Sequence, residues 1–141
     1  MKHNAQRGFS LIEIMVVVVI LGILAALVVP KIVNRPDEAR IVKARQDVLA
    51  VQNALELYKL DNGFYPSTDQ GLKALVEKPS SSPIPQDWKA YLKKVPKDPW
   101  GSDYIYLNPG QHGDIDIYTN GADGQPGGEG VNAEIGNWNA G

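Results

Sequence analysis

The stretch Arg7-Gly8-Phe9-Ser10-Leu11-Ile12-Glu13, followed by sixteen residues (14–29) without a charge, decides how this chain is read. From Phe9 to Val29 there are 21 residues. At a helical rise of about 1.5 Å per residue, that length matches a hydrocarbon core of about 30 Å. Glu13 stands inside this span. An Asp-like charge at the centre of a spanning helix costs about 2.5–3.5 kcal/mol on insertion scales, so it calls for a partner or an escape. Close to the membrane surface, the side chain snorkels or takes the favourable end of the helix dipole. If the chain is cut after Gly8, the new α-amino group of Phe9 becomes the nearest strong cation. It then pairs with Glu13 either within one chain or, because the side chain points sideways from the helix, in a neighbouring copy.

Lys2 and Arg7 give residues 1–8 the positive n-region of a secretory signal. The apolar run is longer than the ~7–15 residues of an ordinary signal core, however, and no small-x-small cleavage site follows before Pro30. With positive charge retained in the cytoplasm, the N-terminus stays inside and residues beyond Pro30 lie across the membrane. Removing residues 1–8 takes away Lys2 and Arg7 and changes the formal charge from −2 to −4. About 80 residues remain beyond the helices, enough for one modest core. With no cysteine in the chain, no disulfide staples it.

A second helical stretch is expected from Pro36 to about Leu60, either as a fresh start at Pro36-Asp37-Glu38 or as a continuation of the first helix. Ile41, Ala44, Val48, Val51, Leu55 and Tyr58 recur at helical spacing as one apolar seam, with Arg40, Lys43 and Asp47 opposite. The seam is too short for a coiled coil and is read as packing on a globular domain. Gly22 and Pro30 mark a place where the long helix bends or melts locally. Asp61-Asn62-Gly63 ends it. A short helix from Asp69 to about Glu77 should turn Leu72, Leu75 and Val76 inward. Residues 79–87 form a loop, and Trp88, Tyr91, Leu92 and Val95 return to the core. Two strands follow, at 104–107 and 114–119, joined through Pro109-Gly110, with Ile115, Ile117 and Thr119 alternating against Asp116 and Tyr118. The fold class is α+β, a long helix beside a small antiparallel sheet. The chain divides into a leader (1–8), an apolar helix (9–29), its amphipathic continuation (30–62) and a globular domain (63–141).

Catalytic chemistry is not expected. His3 and His112 are far apart in sequence, and no phosphate loop, cysteine nucleophile or zinc spacing is present. Asp114 and Asp116 share a strand face and read as exposed positions rather than a carboxylate pair. From Asp98 onward there are seven acids and no Lys or Arg, whereas residues 9–97 carry 12 basic against 9 acidic residues. That asymmetry disfavours nucleic acid as a partner. It also allows an acidic tip of one subunit to meet a basic flank of the next, with Glu56 and Lys93 or Lys94 as candidates against a background of plain solvation. Residues 121–130 are too rich in glycine to be ordered by packing. They read either as a mobile acidic loop or as an oxygen-only site suited to Ca²⁺.

Arg7 to Glu13 with the apolar run resembles the class III signal of type IV pilins and type II secretion pseudopilins. Tyr58-Lys59-Leu60-Asp61-Asn62 with Tyr65-Pro66, Gln70-Gly71-Leu72, Asp98-Pro99-Trp100-Gly101, Asn108-Pro109-Gly110 and Gly121-Ala122-Asp123-Gly124 narrow the resemblance to the major pseudopilins of type II secretion. The resemblance implies a type IV pilin-like fold. It implies cleavage between Gly8 and Phe9 by a prepilin peptidase, N-methylation of Phe9, and an assembly role for Glu13. It implies a non-enzymatic subunit that passes from inner-membrane lipid into a periplasmic filament of its own copies, with minor pseudopilins and an inner-membrane assembly platform as partners. Calcium binding in the C-terminal loop is implied as well, through Asp123, Asn132 and Glu134 with the backbone carbonyls of Asn120 and Gln125. Relatives offer Asp around positions 132 to 134, and the Asn132-Ala133-Glu134 found here lowers the expected affinity. Type IV pilins, DNA-uptake pseudopilins and a single-pass anchored binding protein are the alternatives.

Overall fold

The computed structural model describes residues 7–141, apart from the side chains of residues 28–35. Leader residues 1–6, Lys2 and His3 among them, lie outside the described residues. A single helix, α1, runs Leu11–Asn62 and is continuous through Gly22, Pro30 and Pro36. Gly22 and Pro30, where a bend or local melting is expected, lie inside this helical span, and no new helix starts at Pro36.

The chain divides into two compact units, Met1–Asp37 and Glu38–Gly141. In the first, the apolar side chains of α1 are exposed on every face, Ile14 by 52%, Val18 by 62% and Leu27 by 65%. Among the described residues no helix is long and apolar enough to cross a membrane; the described side chains of the apolar run stop at Leu27.

In the second unit the seam behaves as its spacing predicts. Ala44, Val48, Val51, Leu55 and Tyr58 are fully buried, and Ile41 packs at the margin. They share one core with Leu72 and Leu75, with Tyr104, Tyr106, Ile115 and Ile117, and with Ile135. Asp47, expected on the opposite face, sits at the edge of the seam. It accepts a hydrogen bond from the Tyr104 hydroxyl at 2.8 Å and pairs with Lys43 Nζ at 2.6 Å. The helix closes where Gly63 N–H bonds the Lys59 carbonyl at 2.7 Å.

The helix expected from Asp69 shrinks to a 3-10 turn, Leu72–Leu75. Gly71 precedes it at φ 63°, a left-handed conformation that a helix cannot contain. Leu72 and Leu75 are buried as expected, and Val76 is only partly so. The sheet has three strands, not two: β1 (Ile105–Leu107), β2 (Asp116–Thr119) and β3 (Ile135–Gly136), antiparallel in that order. Tyr106 lies opposite Ile117, and Thr119 opposite Ile135. Asn137 extends β3 with its side chain. Its Nδ2 donates to the Ile115 carbonyl at 2.9 Å, and its Oδ1 accepts from Ile117 N–H at 3.2 Å.

The sheet also corrects the reading of Asp116. Asp114 is exposed, but Asp116 is only 1% exposed. The β1–β2 turn folds over it and supplies three donors: the N–H groups of Gln111 at 2.8 Å and His112 at 3.1 Å, and the His112 ring, whose Nδ1 is 3.0 Å away. The same ring stacks on Trp138, with centroids 3.7 Å apart. Strand alternation put Asp116 on the face away from the helix and could not reveal that a turn covers that face. Burial raises the Asp116 carboxyl, and the donors, the His112 ring foremost, more than offset it, leaving the group below the ordinary aspartate range.

Two outcomes follow for the stability of this unit. Leu55→Ala empties a fully buried position and should cost about 2–5 kcal/mol in thermal or chemical unfolding of the chain. Asp116→Asn turns an amide toward donors and should cost about 1–3 kcal/mol near neutral pH. Because the folded-state pKa of Asp116 is depressed, its contribution is complete above the ordinary aspartate value of about 4 and is lost as pH falls through the folded value. The gap between Asp116→Asn and the parent chain should accordingly narrow in acid, as read from Tm against pH.

Candidate functional site

Each compact unit carries one candidate site. In the first, residues 7–10 lie outside any helix and are exposed, with Phe9 81% exposed, so the Gly8–Phe9 bond is presented in accessible, non-helical chain. Ser10 then starts α1. Its hydroxyl accepts the Glu13 N–H at 3.3 Å, and its carbonyl accepts the Ile14 N–H at 3.3 Å. Ser10-x-x-Glu13 is the spacing of a capping box. That signal is legible in the sequence. Glu13 occupies the first turn. It lines a shallow, mainly apolar groove of about 250 Å³ with Phe9, Ile14, Val17 and Val18. Phe9 and Glu13 thus border one groove.

In the second unit the glycine-rich segment is a closed loop with a tight neck. Gly121 is buried at φ 84°, and a Cβ there would lie 2.8 Å from the Val131 oxygen and 2.9 Å from the Ala133 oxygen. Only glycine lets the outgoing and returning segments approach so closely. Ala122 N–H bonds the Val131 carbonyl at 2.9 Å, and a 3-10 turn, Gly130–Asn132, shapes the return.

The loop brings the expected ligand residues together in part. Asp123 Oδ1 accepts the Gln125 N–H at 3.1 Å. From the returning side, Glu134 Oε1 accepts the Gly127 N–H at 3.3 Å. Both carboxylates therefore converge on residues 125–127. Asn132 stands at the neck beside Gly121. The carbonyls of Asn120 and Gln125 accept no hydrogen bond among the described residues. No group of three or more His, Asp or Glu able to hold a metal occurs among the described residues, so an ion here would depend on two carboxylates and neutral oxygens. An all-oxygen, irregular set of that kind fits Ca²⁺ better than Mg²⁺ or a transition metal.

The charge candidates lie elsewhere on this unit. Glu56 is exposed and accepts the Tyr65 hydroxyl at 2.8 Å. Burial first, then this carboxylate, push the Tyr65 phenol up to about 12, so it stays a neutral donor. Lys93 and Lys94 are exposed.

Sequence reasoning missed a buried pair beneath the loop. Asp98, 5% exposed, accepts N–H groups from Trp100 at 3.0 Å and Ser102 at 2.8 Å on Oδ1, and the Thr119 hydroxyl at 2.6 Å on Oδ2. Asp followed by Pro and, three residues on, Gly is a turn signature. The motif therefore signalled the turn but not its link to Thr119.

Comparison with known proteins places this geometry. The family model for type II secretion system (T2SS) protein G matches residues 31–138, and that for the prokaryotic N-terminal methylation motif matches residues 3–29. The type II secretion system core protein G of Pseudomonas aeruginosa is 58% identical over 140 residues, covering 98% of this chain and 99% of that protein. That of Vibrio cholerae is 57% identical, covering 98% and 95%. The crystal structure of the major pseudopilin from the type 2 secretion system of enterohaemorrhagic Escherichia coli superposes with a TM-score of 0.67 at 47% identity, covering 74% of this chain and 87% of that one. The chain belongs to the type II secretion system protein G family, the major pseudopilins, whose members are structural subunits of the secretion pseudopilus and not enzymes.

Proposed function

We propose that this subunit is cut between Gly8 and Phe9 by a prepilin peptidase and methylated on Phe9. It then waits in the inner membrane as a single-pass protein with its N-terminus cytoplasmic and residues 63–141 periplasmic. From there an assembly platform adds it to a filament of its own copies, capped by minor pseudopilins, whose growth drives folded proteins across the outer membrane. The observation that carries this reading is the stretch of α1 from Leu11 to Leu27, whose described apolar side chains are exposed on every face. Such a surface needs lipid before assembly and other helices after it. Within the filament, Gly22 and Pro30 are where α1 would bend or melt, and Glu56 would meet Lys93 or Lys94 of the next copy.

Glu13 is the assembly residue on this reading, paired with a Phe9 amine after cleavage. Glu13→Val should leave cleavage intact, as seen by the mass of the mature N-terminus, and abolish filaments and secretion. Filaments formed normally by Glu13→Val would make the helix a mere tether.

Calcium belongs to the same proposal, held by Asp123, Glu134 and Asn132 with the Asn120 and Gln125 carbonyls. When bound, the ion supplies positive charge that neutralises the loop's carboxylates and fixes its carbonyls. The chain itself supplies the neck at Gly121 and the N–H groups of Gln125 and Gly127 that aim the two carboxylates. Calcium should raise Tm, a chelator should lower it again, and Asp123→Ala should remove most of the shift. Equal Tm with calcium and with chelator would remove the ion from the proposal.

A further inference from the structure

We infer that Asp98 and Thr119 are positioning residues for the calcium loop, so that ion binding at the loop and order in the Asp98–Gly101 turn are coupled through one buried relay. The inference rests on the calcium reading above.

The relay is continuous in hydrogen bonds. Asp98 Oδ1 gathers the Trp100 and Ser102 N–H groups at 3.0 and 2.8 Å, and Asp98 N–H returns a bond to the Ser102 carbonyl at 2.8 Å, which closes the turn. Asp98 Oδ2 accepts the Thr119 hydroxyl at 2.6 Å. That donation fixes the rotor of Thr119, leaving its lone pairs for the Gly121 N–H, which donates to Thr119 Oγ1 at 3.2 Å. Thr119 is 2% exposed and Asp98 5%, so water does not compete for either.

Position explains what the relay does. Thr119 is the last residue of β2, paired opposite Ile135 of β3. Asn120 and Asp123 follow it on the outgoing side, and Asn132 and Glu134 precede Ile135 on the returning side. Gly121, held by Thr119, is the residue pressed against the 131–133 backbone. Moving Gly121 therefore moves the Asn120 carbonyl relative to Asn132 and Glu134, and so the spacing of the oxygens an ion would need. Asp98 and Thr119 are almost wholly buried and engaged with one another, whereas residues 122–130 of the loop are exposed. Each acts through Gly121. Groups that orient ligands from behind in this way typically govern metal affinity by about 10–100-fold. By reciprocity, an ion that fixes the neck also fixes the turn.

The test uses the full chain in detergent, with calcium or with chelator, read by hydrogen exchange and by calcium titration. In the parent chain, calcium should slow exchange both in residues 120–134 and at the Trp100 and Ser102 amides. Thr119→Val should weaken calcium binding by at least about tenfold and uncouple the turn, so that calcium no longer slows Trp100 and Ser102. Thr119→Ser, which keeps the hydroxyl, should restore both. If calcium protects the loop and leaves Trp100 and Ser102 unchanged, the relay is refuted with the calcium site intact. Thr119→Val binding calcium as the parent does refutes it equally. If the loop of the parent chain does not respond to calcium at all, the calcium reading falls and this inference with it. Should Thr119→Val not fold, the exchange measurement on the parent chain still decides.

Discussion

The second unit depends on a strip of α1 five side chains long. Ala44, Val48, Val51, Leu55 and Tyr58 are fully buried, and the paired strands β1, β2 and β3 share the one core that this strip organises. The sheet alone is too small to stand: its strands are three, four and two residues long, and an isolated sheet of that size has no independent stability in water. The helix supplies the apolar surface that the sheet lacks. Much of the remaining chain beyond residue 63 is long connection laid around that contact and held by polar anchors.

Those anchors are buried carboxylates used in place of packing. Asp98 and Asp116 each collect backbone N–H groups from a neighbouring turn, and each also takes a side-chain donor, Thr119 in one case and His112 in the other. A buried charge is costly unless it is hydrogen-bonded, and these two are satisfied from several directions. With no cysteine to staple it, the domain orders two long turns through Asp98 and Asp116. Trp138 adds a third tie by stacking on His112, which brings the C-terminal segment back to the β1–β2 turn.

What could be read from the sequence divides along the same line. The seam was legible because helical spacing of apolar residues reports burial directly, and Ala44 to Tyr58 are buried as that spacing requires. The strands β1 and β2 were legible from alternation, within two residues at each end. The third strand, Ile135–Gly136, was not, because two residues carry no period. The helix over 69–77 failed on Gly71, whose backbone conformation is fixed by its surroundings and invisible in composition. Asp116 failed because alternation gives a face and says nothing of what later chain covers it. Among the candidate residues, Gly8, Phe9 and Glu13 are marked by the leader pattern, the capping box at Ser10 is equally visible there, and the role of Asp123 comes from the resemblance alone. The Asp98–Thr119 link spans 21 residues, and only the folded chain brings its ends together.

The two units of α1 pose opposite solvation problems. From Ala44 to Tyr58 one stripe is apolar, and a small domain suffices to cover it. From Leu11 to Leu27 every face is apolar, and Glu13 is the only ionisable residue. Apolar burial is nearly non-directional, so such a helix is served by lipid or by other helices without a patterned interface, and passing from one to the other removes little apolar surface from water. Non-directional contact cannot by itself fix the register between copies. A single carboxylate can, because its partner must sit within a few ångströms and each misplacement leaves a charge in hydrocarbon at a cost of several kcal/mol. On the proposed reading, one residue in the first turn sets the register, and the apolar surface behind it supplies the adhesion.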